Sequence, residues 1–577
     1  MPALDETLAP VATPPEDALR VRVTPLLARW SGVFFWACLL GGTGFLISTA
    51  RLPVIRWPRY IDDMYYYLLL VRHSLHSGVV SVDGVRPTNG FHPLYFLLLR
   101  GIYPHTTEAQ LPTVAVTMLA LFHAATGVTL WLTLRRLAGR VIGGLLAGIY
   151  AANPYVLGIV LQGLETPIAC FFAALGLWAY VCWMQEGRTA YRAMMLLALP
   201  LAVFSRTDTI FLGVAIALTP LFLPGHRPLR DWRKADLLLL ALCALPVLLF
   251  TLWSWRDTGE FIQTSGRAHS YWQSIGYWTE LNASLRHLGA LRVPIAALGF
   301  LVSILIAFPT WILSGFYYLL SYHGAGWLLL GARTMLTPSA SQREGNATAA
   351  RLSRSLLLFL ALLWGFYALF FRHCMEWYWH TSVYSAALLV GLGVAPLRHL
   401  DAGRFQAVVA HRRFPALAIT ACLLALGLTG LSFNTLKTKP AGLRAYTDTR
   451  SSDIPLGEIV EAGDPALASQ VHSPPPSRPL LTVVPKGGVV GVFNSGAVGW
   501  DYPELQVVNL DGLVNNGAYR AIRRGEIGQY MLDEHIAYLL TSEVVLKRFA
   551  PFGLQQYLDH ADLVCRWDNG VLLYRMR

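Results

Sequence analysis

The sequence WSGVFFWACLLGGTGFLISTA, residues 30–50, decides the fold class. It is an apolar run between Arg29 and Arg51, and about 20 such residues suffice to cross a bilayer as a helix. Comparable runs recur along the chain, whereas a β-barrel would show alternating stretches of about ten residues. The predicted spans after the first are 111–134, 141–160, 166–184, 193–204, 209–224, 237–255, 294–332, 355–371, 381–396 and 414–433.

Composition also indicates a polytopic α-helical membrane protein. Of the 577 residues, 54% are hydrophobic and 14% are charged, where a soluble domain carries about a quarter charged residues. Mean hydropathy is +0.45. Basic cytoplasmic loops account for the net charge of +12. The sequence has no basic surface with stacking aromatic residues of the kind that binds nucleic acid. The seven cysteines form no C-x-x-C pair, so we expect neither a disulfide framework nor a structural zinc.

The charges of the loops predict the topology. The segments 135–140, 227–234, 333–354 and 398–413 are short and basic, and the positive-inside rule places such segments in the cytoplasm. They share one side only if 294–332 crosses once. The sequence therefore predicts about 11 transmembrane helices, with the N-terminus in the cytoplasm and the C-terminus outside it.

Three regions are predicted. Residues 1–28 are rich in Pro and Ala and resemble a disordered cytoplasmic tail. Residues 29–433 form the transmembrane domain, which includes a long outer loop at 51–110 where we expect helices lying in the membrane interface. Residues 434–577 form an extracytoplasmic, soluble α/β domain. Its predicted strands are 489–493, 506–510, 536–540 and 571–574, and its predicted helices are near 515–533 and 543–557. Asp511–Gly512, after the second strand, predicts a turn.

Polar residues collect in five clusters on the predicted outer side. The first cluster is in the loop 51–110, which contains both the acid pair Asp62–Asp63 and the motif RPTNGFHPL. Residues i and i+1 do not share a helix face, so one carboxylate can face a cavity as a general base or metal ligand while the other caps the helix. The other candidates are Asn89 and His92 in RPTNGFHPL, Glu165 in QGLETP, Arg206 and Asp208 in SRTD, Arg267 in TGEFIQTSGRAHSYW, and Arg372 in FRHCMEWYWH.

Arginines on the outer side oppose the positive-inside rule, which calls for compensation by their own carboxylates or by an anionic ligand. The guanidinium group suits phosphate because its planar fork donates two parallel hydrogen bonds. Structural alternatives remain open for each cluster. Arg206 can pair with Asp208 alone, Glu165 can stabilise a helix N-terminus, and Arg372 can extend to the interface beside aromatic residues.

The motifs DDMYYYL, RPTNGFHPLY, QGLETP, SRTD and WYW together resemble the GT-C superfamily of polytopic membrane glycosyltransferases, which use polyprenyl-phosphate-linked sugars. The resemblance is to the bacterial branch of protein O-mannosyltransferases, aminoarabinose transferases and arabinofuranosyltransferases. It covers about residues 30–400. The segment GVFNSGAVGWDYPELQVVNLDGLVNN, residues 491–516, is similar to the extracytoplasmic tail of some members.

The resemblance implies a location, partners and residue roles. The location is the bacterial cytoplasmic membrane, and the partners are membrane lipids, a polyprenyl-phosphate sugar donor and a glycan, lipid or protein acceptor. Some members use a divalent cation, but the sequence places no third acid clearly beside the acid pair, so no cofactor is assigned. The implied roles are catalytic base for Asp62 or Asp63, with Asp62 favoured; donor phosphate binding for Arg206, Arg267 and Arg372; and pocket lining for Asn89, His92, Glu165 and Asp208.

Two other functions compete with transfer. A transporter or flippase of lipid-linked sugars predicts charged groups within the spans and two matched halves, whereas the predicted spans are nearly free of charge. A scaffold protein leaves the acid pair and the outer arginines without a purpose. The chain also has no P-loop or GxGxxG motif, which agrees with a donor that needs no nucleotide.

Overall fold

The computed structural model describes residues 25–51, 62–222, 234–272, 289, 291, 344–370, 378, 380–394, 480–566 and 571–577. The predicted spans 294–332 and 414–433 lie outside the described residues, as do Arg372 and most of the predicted N-terminal tail.

Long apolar helices make this chain an integral membrane protein. Within the described ranges, five helices are long and apolar enough to cross a membrane, by length and composition. They are Ala28–Ala50, Glu108–Leu137, Thr166–Glu186, Asp236–Thr258 and Thr348–Tyr367. The total of about 11 spans remains a prediction. The helices before the C-terminal region are α1 (Pro25–Ala50), α2 (Asp62–His76), α3 (Pro93–Ile102), α4 (Leu111–Leu137), α5 (Arg140–Ala151), α6 (Pro154–Leu161), α7 (Thr166–Glu186), α8 (Thr189–Ser205), α9 (Ile210–Leu218), α10 (Lys234–Thr258), α11 (Glu344–Phe370) and α12 (His380–Val394).

The predicted span 141–160 is divided into α5 and α6. Pro154 begins α6, and a proline has no N–H to donate to the preceding turn. The Asn153 side chain accepts a hydrogen bond from the Val156 N–H at 3.3 Å, which satisfies one free donor of the new helix. A single continuous helix was therefore the wrong prediction for this stretch.

Small residues let the apolar helices approach closely. A Cβ atom added at Gly144 of α5 would lie 2.6 Å from the Ser31 carbonyl oxygen of α1. One added at Gly176 of α7 would lie 2.6 Å from the Leu199 side chain of α8. Close packing through small residues is typical of helix pairs in membranes, where apolar burial alone provides no driving force.

The outer loop contains two helices, α2 and α3, as its sequence predicts. However, every residue from Met64 to Val71 is buried, so α2 has no continuous exposed face. It packs against α3 on one side and against the C-terminal region on the other. The run MYYYLLLV lacks polar side chains that would favour an exposed face, so enclosure by protein is its stable environment.

The C-terminal region is an α/β unit with a five-stranded sheet of order β2-β1-β3-β5-β4. Strands β2, β1 and β3 are parallel to one another, and β5 pairs antiparallel with both β3 and β4. Its elements are α13 (Leu480–Val483), β1 (Val489–Val492), α14 (Gly496–Asp501), β2 (Gln506–Asn509), α15 (Asn516–Arg524), α16 (Ile527–Asp533), β3 (Tyr538–Ser542), α17 (Glu543–Phe549), α18 (Gln555–Leu558), β4 (Ala561–Arg566) and β5 (Val571–Met576).

The predicted α/β character of this region is confirmed, with three differences in detail. The predicted helix 543–557 is divided into α17 and α18, with a 3-10 helix at Ala550–Phe552 between them. Strand β4 was not predicted. It lies at the edge of the sheet with most of its residues exposed, so its sequence lacks the apolar pattern of a buried strand. The predicted helix 515–533 is two helices, because Gly525 adopts φ +73 and ends α15 with a left-handed cap.

Gly90 makes a close contact between the outer loop and the C-terminal region. A Cβ atom there would lie 2.0 Å from the Leu513 carbonyl oxygen. We expect Gly90→Ala to destabilise the protein by about 1–3 kcal/mol, since the backbone must shift to relieve the overlap. The measurement is the thermal unfolding midpoint in detergent. Gly101→Ala is the control, because nothing lies within 4 Å of its added Cβ; equal midpoints for the two variants would contradict the close contact.

Candidate active site

Helix α2 carries the acid pair in its first turn and contacts two different polar groups of residues. The Tyr66 hydroxyl faces the C-terminal α/β unit, where Asp511 is among its partners. The Tyr67 hydroxyl donates to the Glu165 carboxylate at 3.0 Å, on the side of the apolar helices. Consecutive helical side chains point in different directions, so one short helix joins both groups to the acid pair.

Four predicted site residues meet in one cluster: His92, Glu165, Arg206 and Asp208. We name it the Arg206 cluster. The Arg206 guanidinium donates to Glu165 at 2.9 Å, and to both oxygens of Asp208 at 3.2 and 2.8 Å. The Tyr367 hydroxyl also donates to Asp208. Segments far apart in sequence therefore meet at one point.

Carboxylates of the same cluster compensate the charge of Arg206. Arg206 and Glu165 are each only 3% exposed, so both charges are removed from water. Each guanidinium nitrogen has a hydrogen-bond partner, and Nη1 also donates to the Thr166 hydroxyl at 3.3 Å. The sequence left two groups that could compensate Arg206, its neighbouring carboxylates or an anionic ligand. Among the described residues, carboxylates surround it.

His92 lies at the edge of the Arg206 cluster. Its Nε2 is 3.6 Å from a Glu165 oxygen, and its side chain is 19% exposed. Its backbone N–H donates to the Tyr67 hydroxyl at 3.0 Å. Burial lowers the pKa of His92, because the charged ring is less stable away from water, although the nearby Glu165 opposes this. Its Nδ1 is enclosed by protein and has no hydrogen-bond partner among the described residues.

Asp62 is held by the C-terminal unit. Its two carboxylate oxygens accept the backbone N–H groups of Gly496 at 3.0 Å and Ala497 at 2.8 Å. A Cβ atom at position 496 would lie 2.3 Å from the Asp62 carbonyl oxygen, so only glycine permits this approach. Burial raises the pKa of Asp62, while the two N–H groups and Tyr66 oppose the increase. Both acids stay partly exposed, so a substrate group can reach them.

Asp511 is a third acid near the pair that the sequence analysis did not identify. It is 2% exposed, and its Oδ2 lies 3.5 Å from the Tyr66 hydroxyl. Burial, with repulsion from Asp62 and Asp63, holds the pKa of Asp511 well above its usual value. The predicted turn at Asp511–Gly512 is present, with Gly512 at φ +79. The sequence feature that could have identified Asp511 is its position in a turn directly after strand β2, because the carboxyl ends of parallel strands commonly carry functional groups.

Asn89 is fully buried and connects the outer loop to residues 254–264. Its amide nitrogen donates to the Ser254 hydroxyl at 2.6 Å and to the Ile262 carbonyl at 3.1 Å. Its oxygen accepts from the backbone and the hydroxyl of Thr264. The amide's hydrogen-bonding groups are thus used within the protein, which favours a structural role for Asn89 over sugar binding.

Arg267 pairs with Glu260 at 2.8 Å and lies over the Tyr519 ring, 5.1 Å from its centroid. These partners differ from those of Arg206, so the structure does not bring the two arginines into one cluster. Arg372, the third predicted phosphate ligand, lies outside the described residues.

Within the described ranges, no group of three or more His, Cys, Asp or Glu side chains is placed to hold a metal ion. Both oxygens of Asp62 accept N–H groups, and Asp511 accepts the Leu513 N–H through Oδ1. Protein donors therefore hold the carboxylates of Asp62 and Asp511 in place.

No family model matches the chain, and no curated protein sequence matches it. Among solved structures it is similar to the oligosaccharyltransferase AglB of Archaeoglobus fulgidus, in complex with an inhibitory peptide and a dolichol-phosphate, at 12% identity and TM-score 0.47, covering 90% of this chain and 71% of that one. It is also similar to ArnT from Cupriavidus metallidurans bound to undecaprenyl phosphate, at 13% identity and TM-score 0.46, covering 95% and 97%.

One of these structures contains a dolichol-phosphate and the other an undecaprenyl phosphate. At these identities and TM-scores, no residue role passes from them to this chain. The roles proposed below come from the contacts of its own residues.

Proposed function

We propose that this protein is a membrane glycosyltransferase that moves a sugar from a polyprenyl-phosphate-linked donor to a hydroxyl acceptor. It would act on the outer face of a bacterial cytoplasmic membrane, in the assembly of an envelope glycan, glycolipid or glycoprotein. The observation that carries the proposal is the position of α2. Its acid pair is partly exposed, and Tyr67 five residues after Asp62 contacts Glu165 of the Arg206 cluster.

Asp62 is the proposed general base. An efficient base needs a fixed direction and a pKa nearer the working pH than that of an ordinary carboxylate. Two backbone N–H groups fix the direction of the Asp62 carboxylate, and burial raises its pKa. Each oxygen keeps lone pairs beyond the one that accepts an N–H, so the carboxylate can still take a proton.

The reaction is a single displacement. Asp62 takes the proton of the acceptor hydroxyl, and the acceptor oxygen forms a bond to the anomeric carbon of the sugar. The bond from that carbon to the phosphate oxygen breaks, and its electron pair leaves with the polyprenyl phosphate. Attack opposite the leaving group inverts the anomeric centre. Cationic groups at the departing phosphate would stabilise its charge, and Arg267 and Arg372 are the proposed candidates.

The Arg206 cluster would form the wall beside the reacting sugar. Its two carboxylates and one guanidinium are rigidly paired, which gives fixed hydrogen-bonding directions for sugar hydroxyls. The His92 side chain, which is 19% exposed, is the part of this cluster that such a hydroxyl can approach. Arg206 itself would position its neighbours and would not bind phosphate.

The direct test is transfer by the purified protein in lipid nanodiscs. A panel of polyprenyl-phosphate hexoses and pentoses with a radiolabelled sugar is offered together with envelope lipid and glycan acceptors. The expected result is a labelled product that depends on one donor and on Asp62. Movement of intact donor across proteoliposome membranes without any product would instead favour the transporter or flippase function.

The proposed reaction also requires the C-terminal unit to lie outside the cytoplasm. We expect a reporter that is active only in the cytoplasm to be silent when fused after Arg577. A fusion after Arg136, in a predicted cytoplasmic loop, provides the active control. Strong activity of the Arg577 fusion would place the unit on the wrong side for this reaction and would also contradict the topology of about 11 spans.

A further inference from the structure

The Tyr66 hydroxyl is the point where the acid-bearing helix meets the C-terminal unit. Its oxygen accepts the Ser495 N–H at 3.3 Å and the Asn509 amide at 3.2 Å. It donates to Asp511 Oδ2 at 3.5 Å, and the Asp62 carboxylate interacts with the same hydroxyl. A phenolic hydroxyl has one proton to donate, so Asp511 and Asp62 are the two acids that this proton serves.

These contacts lie at the carboxyl ends of the parallel strands. Ser495 follows β1, and Asn509 ends β2. Ligands of such sheets bind beyond the carboxyl ends of the parallel strands. Here the carboxyl ends of β1 and β2 receive Asp62 and Tyr66 of the protein's own outer loop.

We propose that Asp511 is a positioning residue of the transfer reaction, which holds the Tyr66 hydroxyl and through it the direction of the acid pair. The inference rests on the proposed function, and it assigns to the C-terminal unit a part in forming the catalytic centre. Tyr66 lies one helical turn after Asp62, so rotation of α2 about its axis would move both side chains together.

The chemistry of Asp511 makes the contact selective. Its Oδ1 accepts the Leu513 N–H at 2.8 Å, so an oxygen must remain on that side. In Asp511→Asn the amide oxygen would keep the Leu513 bond, and the amide nitrogen would then face Tyr66. The Tyr66 oxygen already accepts two donors, so its proton would lose Asp511 as an acceptor and a third donor would meet it.

The test measures turnover and KM of Asp511→Asn, Tyr66→Phe and the double variant in the nanodisc assay. We expect each single variant to lower kcat by about 10²-fold, because a shift of about 1 Å in a catalytic group has that effect. Donor KM should stay within about threefold. The double variant should be no slower than the slower single variant, since both changes remove the same contact.

Tyr557→Phe is the matched control. It removes a buried hydroxyl of the same unit, which donates to the Ile536 carbonyl at 3.0 Å, away from α2. Losses of kcat that multiply in the double variant, or wild-type kcat in either single variant, would overturn the inference. If Asp511→Asn does not fold, Tyr66→Phe decides alone, since it removes one oxygen atom. The absence of any labelled product with the wild-type protein would overturn the proposed function itself, which separates the two failures.

Discussion

Asp62→Asn is expected to lower the rate of sugar transfer by about 10²–10⁴-fold, the usual contribution of a general base. The amide keeps the size of the side chain and one oxygen for the N–H groups of Gly496 and Ala497, but it cannot take a proton. The lost second N–H contact should cost about 1 kcal/mol of stability, as for other helix caps. Turnover is compared per folded molecule, and binding of labelled donor is measured alongside.

Asp63→Asn is the matched neighbour for this experiment, because it is the same change one residue further along the same helix. We expect its turnover to fall much less than that of Asp62→Asn, with donor binding retained in both. The reverse order would assign the base to Asp63 and leave the function standing. Full transfer by both variants would exclude the acid pair as the general base and so the mechanism proposed here.

Arg206→Met should give the largest loss of stability of any single change discussed. It leaves the buried carboxylates of Glu165 and Asp208 without their cation, and removing one partner of a buried ion pair costs about 3–5 kcal/mol. The measurement is the free energy of unfolding or the thermal midpoint of the detergent-solubilised protein. Arg206→Lys should recover only part of the loss, since an ammonium group cannot bond both oxygens of Asp208 in parallel.

The control pair lies at the opposite end of the helices. Arg136 contacts Glu186 at 2.6 Å, but both side chains are partly exposed. Arg136→Met should therefore cost about 0–1 kcal/mol, the usual value for an exposed pair. If Arg206→Met lowers the free energy of unfolding no more than Arg136→Met does, the ion pairs of the Arg206 cluster do not stabilise the protein.

Much of the fold could be predicted because hydropathy is local. Runs such as 30–50 are apolar over the length of a span, and the parallel strands of the C-terminal unit are buried and apolar. What local patterns missed depends on neighbours in space. Strand β4 is exposed and carries no apolar pattern, and it is recognised only by its pairing with β5.

The candidate site shows the same division. His92, Glu165, Arg206 and Asp208 were selected by residue type, since buried polar groups at helix ends are uncommon without a purpose. That Arg206 is neutralised by Glu165 depends on a contact across 41 residues of chain, which no spacing rule predicts. The resemblance implied that Arg206 binds the donor phosphate. The structure instead pairs Arg206 with the carboxylates of Glu165 and Asp208.

Asn89 and Asp511 show that the sequence does not reveal which groups a side chain contacts in the folded protein. The sequence suggested a ligand contact for Asn89, but its amide is used by Ser254, Ile262 and Thr264. It suggested only a turn for Asp511, yet the side chain reaches Tyr66, 445 residues earlier in the chain. A turn motif specifies the backbone conformation, whereas the partners of its side chain come from tertiary packing.

The contact between Asp62 and Gly496 joins residues 434 positions apart, and this has a consequence for how the protein is made. Translation delivers α2 to the membrane long before strand β1 has been synthesised. Until residues 480–566 have been synthesised and folded, the Asp62 carboxylate lacks its two N–H donors and Tyr66 lacks Asp511. A nascent chain therefore carries the acid pair in an unassembled form until a segment 434 positions further along the chain has been made.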